Sequence, residues 1–272
     1  MNTFLSFSSL RLDRFSKEGN HLKSASGFIV KTGNQYYLIT NWHVVSGRDF
    51  FTRELLESDV EPATLQISLH VHLVGENEKI APISLGHWKK LSIELYNYDL
   101  TPKWIEYQSN KKHHPTIDVV ALSLESNLRL FNDAPSVLTF IHRKPLDYWS
   151  EISSMPMSII DTDVEYCPSD TVSVIGHPLG WAPTGPQKSA PAFWRRSAVA
   201  SEIKGVAIIP RDAFFIDPCS PEGMTGSPVI GMKDDRPKLL GVYSDSSTAG
   251  FGANAGLVWN ASVVKNLIGT ST

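Results

Sequence analysis

The chain has 272 residues, 42% of them hydrophobic and 19% charged, an ordinary globular composition whose length suits two small domains or one large one. A formal net charge of −3 gives no bias toward a polyanion, and the nearest approach to a basic patch, Lys111-Lys112-His113-His114, is narrower than a nucleic-acid footprint. No apolar run approaches the ~20 residues that cross a bilayer, so neither nucleic acid nor membrane is an expected partner. Glycine and proline are plentiful, at 18 and 17, and β-branched and aromatic residues are spread throughout, which favours many short strands over a helical bundle. The first residues, Met1–Ser8, lack a basic stretch followed by a long apolar one, so no secretory leader is predicted. Two cysteines, Cys167 and Cys219, are too few for a disulfide framework. A reducing cytoplasm fits best, and a single bridge between the two stays open.

In chain order, Gly27–Lys31 and Gln35–Thr40 read as a hairpin around the Thr32-Gly33-Asn34 turn. Ser46–Asp59 reads as a loop with a short helical piece. Strands are predicted at Ala63–Val74, where His70 and His72 are expected to be exposed, and at Ile117–Leu124. Residues 86–115, rich in tryptophan, tyrosine and polar side chains, are expected to decorate this unit. A softer stretch runs from Asn132 through Arg143-Lys144-Pro145 to Met157, and a boundary near residue 150 divides the chain into 1–150 and 151–272. Strand patterns resume at Thr171–Gly176, Ser197–Lys204, Ala213–Asp217, Pro228–Met232 and Leu239–Tyr243. The tail Ala261–Ile268 spaces Val264, Leu267 and Ile268 as a helix does and stops at Gly269.

Three local patterns carry chemistry. Leu38–Val45 is an apolar strand ending in a small polar turn that presents His43. Thr116–Leu122 sets Asp118 at the mouth of an apolar strand. Gly223–Val229 places a hydroxyl residue between glycines before another strand. Nucleophilic hydrolysis needs a hydroxyl, an imidazole to take its proton, and a carboxylate to fix the imidazole's tautomer and stabilise its charged form. It also needs backbone N–H groups aimed at the developing oxyanion, and flanking glycines allow that turn. Asp99 is the next carboxylate, but no apolar strand follows it. His113 and His114 precede Asp118 without a cysteine or carboxylate cluster at ligand spacing, so no metal is expected, and nothing implies a cofactor.

Gly27-Phe28-Ile29-Val30, Ile39-Thr40-Asn41-Trp42-His43, Ile117–Leu122 and Gly223–Val229 together resemble the trypsin-like (chymotrypsin-fold) serine peptidases, especially their disulfide-poor bacterial members. The order His, Asp, nucleophile is that of this fold and not of the subtilisin or α/β-hydrolase folds. Val174–Pro178, Leu240–Ser244 and Gly256–Val258 resemble further segments of its second barrel, so the likeness extends from about residue 24 to 268. The resemblance implies an all-β chain of two six-stranded barrels with a C-terminal helix. It implies an endopeptidase acting through an acyl-enzyme on a protein or peptide, with His43, Asp118 and residue 225 as triad. The Gly223 and Thr225 N–H groups would form the oxyanion hole. Cys219 would lie at the floor of the specificity pocket, and Ser244 through Ser246 would form its wall and pair with substrate backbone.

Two departures from that pattern matter. The nucleophile position holds Thr225, with Ser227 falling on the second, usually structural, site. Making Ser227 the nucleophile would lose the glycine that should follow it, so Thr225 is the favoured residue and Ser227 the alternative. Threonine has a competent hydroxyl, but its methyl restricts χ1 and crowds the histidine and the scissile carbonyl. The rival reading is therefore a catalytically silent pseudoprotease that grips an extended peptide as a binding or scaffold module. An esterase-like hydrolase of small acyl groups would share the chemistry. The second departure is Met224, at the position where digestive members carry an aspartate that pairs with a freshly cut N-terminus. Methionine makes no ion pair, so the resemblance implies no zymogen cleavage and leaves any control to a regulatory protein partner or a loop rearrangement.

Overall fold

In a computed structural model of the chain, the structure describes residues 4–56, 60–75, 87–108, 115–124, 148–160, 166–180, 191–202, 212–218, 220–244 and 255–269. A short helix α1 (Phe4–Ser8) leads into β1 (Ser9–Phe15), β2 (His21–Thr32) and β3 (Gln35–Thr40). β2 and β3 form the predicted hairpin, with Thr32 opposite Gln35 across Gly33-Asn34. Helix α2 (Trp42–Ser46) follows at once. The helical piece expected after residue 46 is thus here instead, and it carries His43. β4 (Thr64–Gly75), β5 (His87–Glu94), β6 (Trp104–Gln108), β7 (Pro115–Ser123), β8 (Tyr148–Ile152) and β9 (Met155–Pro156) complete the first unit.

These strands make one nine-stranded sheet ordered β5-β4-β1-β2-β3-β7-β6, with β8 added on β4 and β9 on β2. β5 and β6 correct the expectation that residues 86–115 merely decorate the sheet. Leu91, Ile93 and Leu95 are buried while Ser92 and Glu94 are exposed, the period-two pattern of a half-buried strand. His70 needs a correction as well. Its ring is buried between Phe7, at 4.2 Å, and Trp88, at 5.1 Å, and Nδ1 meets Ser153 Oγ at 2.9 Å. The aromatic neighbours contributed by α1 and β5 cover a face that a strand pattern alone leaves open.

The second unit is a closed barrel in the order β10-β11-β12-β15-β14-β13. Its strands are β10 (Thr171–Gly176), β11 (Phe193–Val199), β12 (Ala213–Asp217), β13 (Pro228–Lys233), β14 (Arg236–Ser244) and β15 (Gly256–Asn260). The chain pairs with the first sheet as far as Pro156 and joins the barrel at Thr171. Inside the barrel, Val172, Val174, Phe214, Ile216, Val229, Tyr243 and Val258 pack with Met224. Helix α3 (Ala261–Gly269) buries Val263, Val264, Leu267 and Ile268 and packs on both β14 and β7, tying the barrel back to the first sheet.

The rim of the first sheet offers a pH test. Burial pushes the Tyr96 phenol up to about 12, with the Glu61 carboxylate adding to the shift against Arg48. An unfolded tyrosine titrates near ~10. The neutral phenol therefore contributes stability that is whole below about pH 10 and is lost as pH rises toward about 12. Denaturant melts at pH 9 and pH 11 should show a larger loss for the native chain than for Tyr96→Phe. Equal losses would refute this.

Candidate active site

His43 is held by the local chain before any long-range contact is made. Asn41 precedes α2 in extended conformation, and Gly47 closes the helix with its N–H on the His43 carbonyl. The Asn41 side chain donates to the Asp118 carbonyl, joining the end of β3 to β7. Asp118, 1% exposed, then receives three hydrogen bonds. The His43 N–H donates to Oδ1 at 2.9 Å, His43 Nδ1 meets Oδ2 at 2.7 Å, and the Ser244 hydroxyl donates to Oδ2 at 2.8 Å. Charge-assisted bonds of this length fix both the carboxylate and the imidazole that it orients. Ser244, expected in the wall of a substrate pocket, thus directs its hydroxyl onto Asp118 from the end of β14.

One side of this pair is lined by aromatic and charged groups. The indoles of Trp42 and Trp104 donate to the same oxygen of Glu106, at 3.1 and 2.9 Å. The Arg53 guanidinium lies over the rings of Trp42, at 4.8 Å, and Phe50, at 4.6 Å. Burial lowers its pKa, while Asp118, Asp49 and Glu106 act in the opposite sense.

The loop before β13 is built on two glycines in the left-handed region, Gly223 at φ 89° and Gly226 at φ 87°. Met224 donates its N–H to Pro221 and Ser227 donates to Met224, closing a compact turn around residue 225. The Met224 side chain, 1% exposed, points into the barrel interior, where no ion pair could replace its packing. Thr225 is half-buried. Its carbonyl accepts from the Ser26 N–H at 2.8 Å, which sets the loop against the β2–β3 hairpin that leads to His43. Among the described residues no hydrogen bond joins the Thr225 hydroxyl to His43, and neither the Gly223 nor the Thr225 N–H donates to a protein acceptor.

Ser227 is fully buried, and its hydroxyl has no partner among the described residues. A Cβ on Gly176 would collide with that hydroxyl. The Tyr243 hydroxyl donates to the Ser220 carbonyl at 3.1 Å and accepts from the Ser220 N–H at 2.9 Å, pinning the segment that leads into the loop. Cys219 and Ser246 lie outside the described residues, as do His113 and His114. Cys167 is a free, exposed thiol.

Gly226 tolerates no side chain. A Cβ there would overlap the Ser26 carbonyl and come 2.5 Å from Thr40 Oγ1, on a backbone that non-glycine residues rarely adopt. Gly226→Ala should cost about 4 kcal/mol from strain plus the clash. For a chain of this size that lowers Tm by more than about 8 °C. A drop under 2 °C would show that the loop can rearrange freely.

No protein-family model matches the chain, and no curated protein does. Among solved structures it is similar to the Rv3671c protease from M. tuberculosis in its active form, at 14% identity and a TM-score of 0.48, over 97% of this chain and 81% of that one. It is also similar to the scabies mite inactivated protease paralogue S-I1, at 14% identity and a TM-score of 0.51, over 100% of this chain and 96% of that one. The closed barrel, the accompanying sheet, the terminal helix and the second of these likenesses together give the chain the chymotrypsin-like fold of the trypsin-like serine proteases.

Proposed function

We propose that the chain is a serine-type endopeptidase that hydrolyses a protein or peptide substrate through an acyl-enzyme, with Thr225 as nucleophile. The observation that carries this reading is the Asp118 carboxylate. It is buried, holds His43 Nδ1 at 2.7 Å, and is braced by the His43 N–H and the Ser244 hydroxyl. A carboxylate so placed keeps the proton on Nδ1 and leaves Nε2 to accept one from a nucleophile, then return it to the leaving amine. Thr225 is favoured over Ser227 because it is half-buried, whereas Ser227 is sealed beneath the loop and out of reach of a substrate.

In the acylation step the Thr225 oxygen bonds to the scissile carbonyl carbon and its proton passes to His43. The carbonyl oxygen takes up the negative charge. The amine then leaves with that proton, and water repeats the sequence to release the acid. The Gly223 and Thr225 N–H groups are the proposed oxyanion donors. Both are unengaged among the described residues, while the intervening Met224 N–H is used in the turn. Met224 supports the absence of an ion-pair activation switch, which leaves control to a partner or a loop.

A fluorophosphonate probe on the intact chain, followed by peptide mapping, tests the assignment. Labelling at residue 225 that disappears in His43→Ala supports it. Labelling at Ser227 would overturn the choice of nucleophile. If the native chain stays unlabelled and Thr225→Ser is labelled, the chain is a silenced peptidase whose cleft binds peptide without cutting it.

A further inference from the structure

Ser26, in β2, is fully buried and joins three segments that are distant in sequence. Its hydroxyl donates to the Gly223 carbonyl at 2.8 Å and accepts from the His177 N–H at 3.0 Å. Its own N–H donates to the Thr225 carbonyl at 2.8 Å, and its carbonyl accepts from Thr40 Oγ1 at 2.9 Å. The surroundings are cut to fit this one side chain. A Cβ on Gly176 would stand 2.8 Å from Ser26 Oγ, and one on Gly226 would overlap the Ser26 carbonyl.

The hydroxyl acts on a peptide unit that its own chain leaves undetermined. Gly223, at φ 89°, has no Cβ to bias the rotation of the bond that follows it. The peptide linking Gly223 to Met224 carries the Gly223 carbonyl on one side and the Met224 N–H on the other. Anchoring the carbonyl on Ser26 therefore also directs the Met224 N–H to Pro221, where it donates at 3.2 Å. In that arrangement the flanking N–H groups of Gly223 and Thr225 are the ones left over.

We infer that Ser26 is a positioning residue. Its hydroxyl holds the 223–225 loop in the orientation that presents the Gly223 and Thr225 N–H groups to a developing oxyanion. The catalytic consequence rests on the peptidase reading above, whereas the structural role does not. Substrate binding needs the oxyanion donors little, because the full negative charge exists only in the transition state. Losing the hydroxyl should therefore act on kcat and spare KM.

The test uses Ser26→Ala in the full chain, with Ser26→Cys as a second variant that restores bulk and a weaker donor. In Ser26→Ala, hydrogen exchange at the Met224 and His177 amides should accelerate at least about tenfold, while Val229 and Val242 in β13 and β14 stay unchanged. Combined with Thr225→Ser, Ser26→Ala should lower kcat for a peptide substrate by roughly ten- to a hundredfold with KM within about twofold. Ser26→Cys should fall between. Unchanged exchange at Met224, equal acceleration across the barrel, an unchanged kcat, or a loss confined to KM would each overturn the inference. If Thr225→Ser with Ser26 intact cleaves nothing, the peptidase reading fails, and the exchange measurement alone decides whether Ser26 sets the loop.

Discussion

Thr225→Ser should raise kcat/KM for peptide hydrolysis by about 10²–10⁴-fold, equivalent to roughly 3–5 kcal/mol of recovered transition-state stabilisation. The substitution removes a single methyl from a half-buried position whose backbone is clamped by Ser26 on one side and by the Met224 and Ser227 turn bonds on the other. On the proposed assignment, with the loop held there, the threonine methyl would have no backbone motion by which to clear the imidazole or the incoming carbonyl. Thr225→Ala and His43→Ala should each abolish turnover, and the double variant should be no worse than either, because the two side chains act as one unit. Ser227→Ala should change kcat/KM by less than about threefold, since its hydroxyl is buried and bonds to nothing among the described residues. A dead Ser227→Ala beside an active Thr225→Ala would reverse the assignment.

Asp118→Asn, introduced into Thr225→Ser, should reduce kcat by about 10⁴-fold with little change in fold. An amide at this position keeps the size of the carboxylate, and its oxygen still accepts from the His43 N–H, which meets Oδ1 at 2.9 Å. Its NH₂ then faces His43 Nδ1 and the Ser244 hydroxyl, which both lie on Oδ2. The imidazole answers by moving its proton to Nε2, the wrong nitrogen for a general base. Asp118→Ala is a different experiment. It strands two His43 donors and one serine hydroxyl beside a buried gap, and should cost about 3 kcal/mol of stability besides the activity. A kcat for Asp118→Asn within tenfold of its parent would remove Asp118 from the mechanism.

The sequence was most informative where chemistry and strand pattern coincide. The β2–β3 hairpin, the Asp118 strand β7, β10, β12 and the terminal helix stand where apolar alternation, turn residues and a glycine stop place them. His43 and Asp118 are visible because each ends or begins a strongly apolar strand. Ser244 was visible as a strand end but not as a ligand of Asp118, since the bond spans 126 positions and no local pattern encodes it. Ser26 was hidden for the same reason: a serine before Gly27-Phe28 carries no mark of its contact with Gly223. β5 was missed although Leu91, Ile93 and Leu95 alternate with polar residues, because the abundance of tryptophan, tyrosine and lysine around them reads as surface. β11 begins at Phe193, earlier than expected, since its first four residues are exposed and only Ser197 and Val199 turn inward. The short helix bearing His43 has five residues, too few for a helical period to show.

The opening segment crosses from the first sheet to the barrel. Ser9 Oγ donates to the Ile175 carbonyl at 2.7 Å, Ala192 donates its N–H to Ser6, and the Trp194 indole donates to the Ser6 hydroxyl. On a ribosome these partners emerge more than 160 residues after Ser6 and Ser9, in the direction of synthesis. The helix α1 that carries Leu5, 4% exposed, packs on β1, β2, β4 and β9 as well as on β10. Ser6 and Ser9 therefore wait for β10 and β11 before these hydrogen bonds can form, although both are made long before those strands.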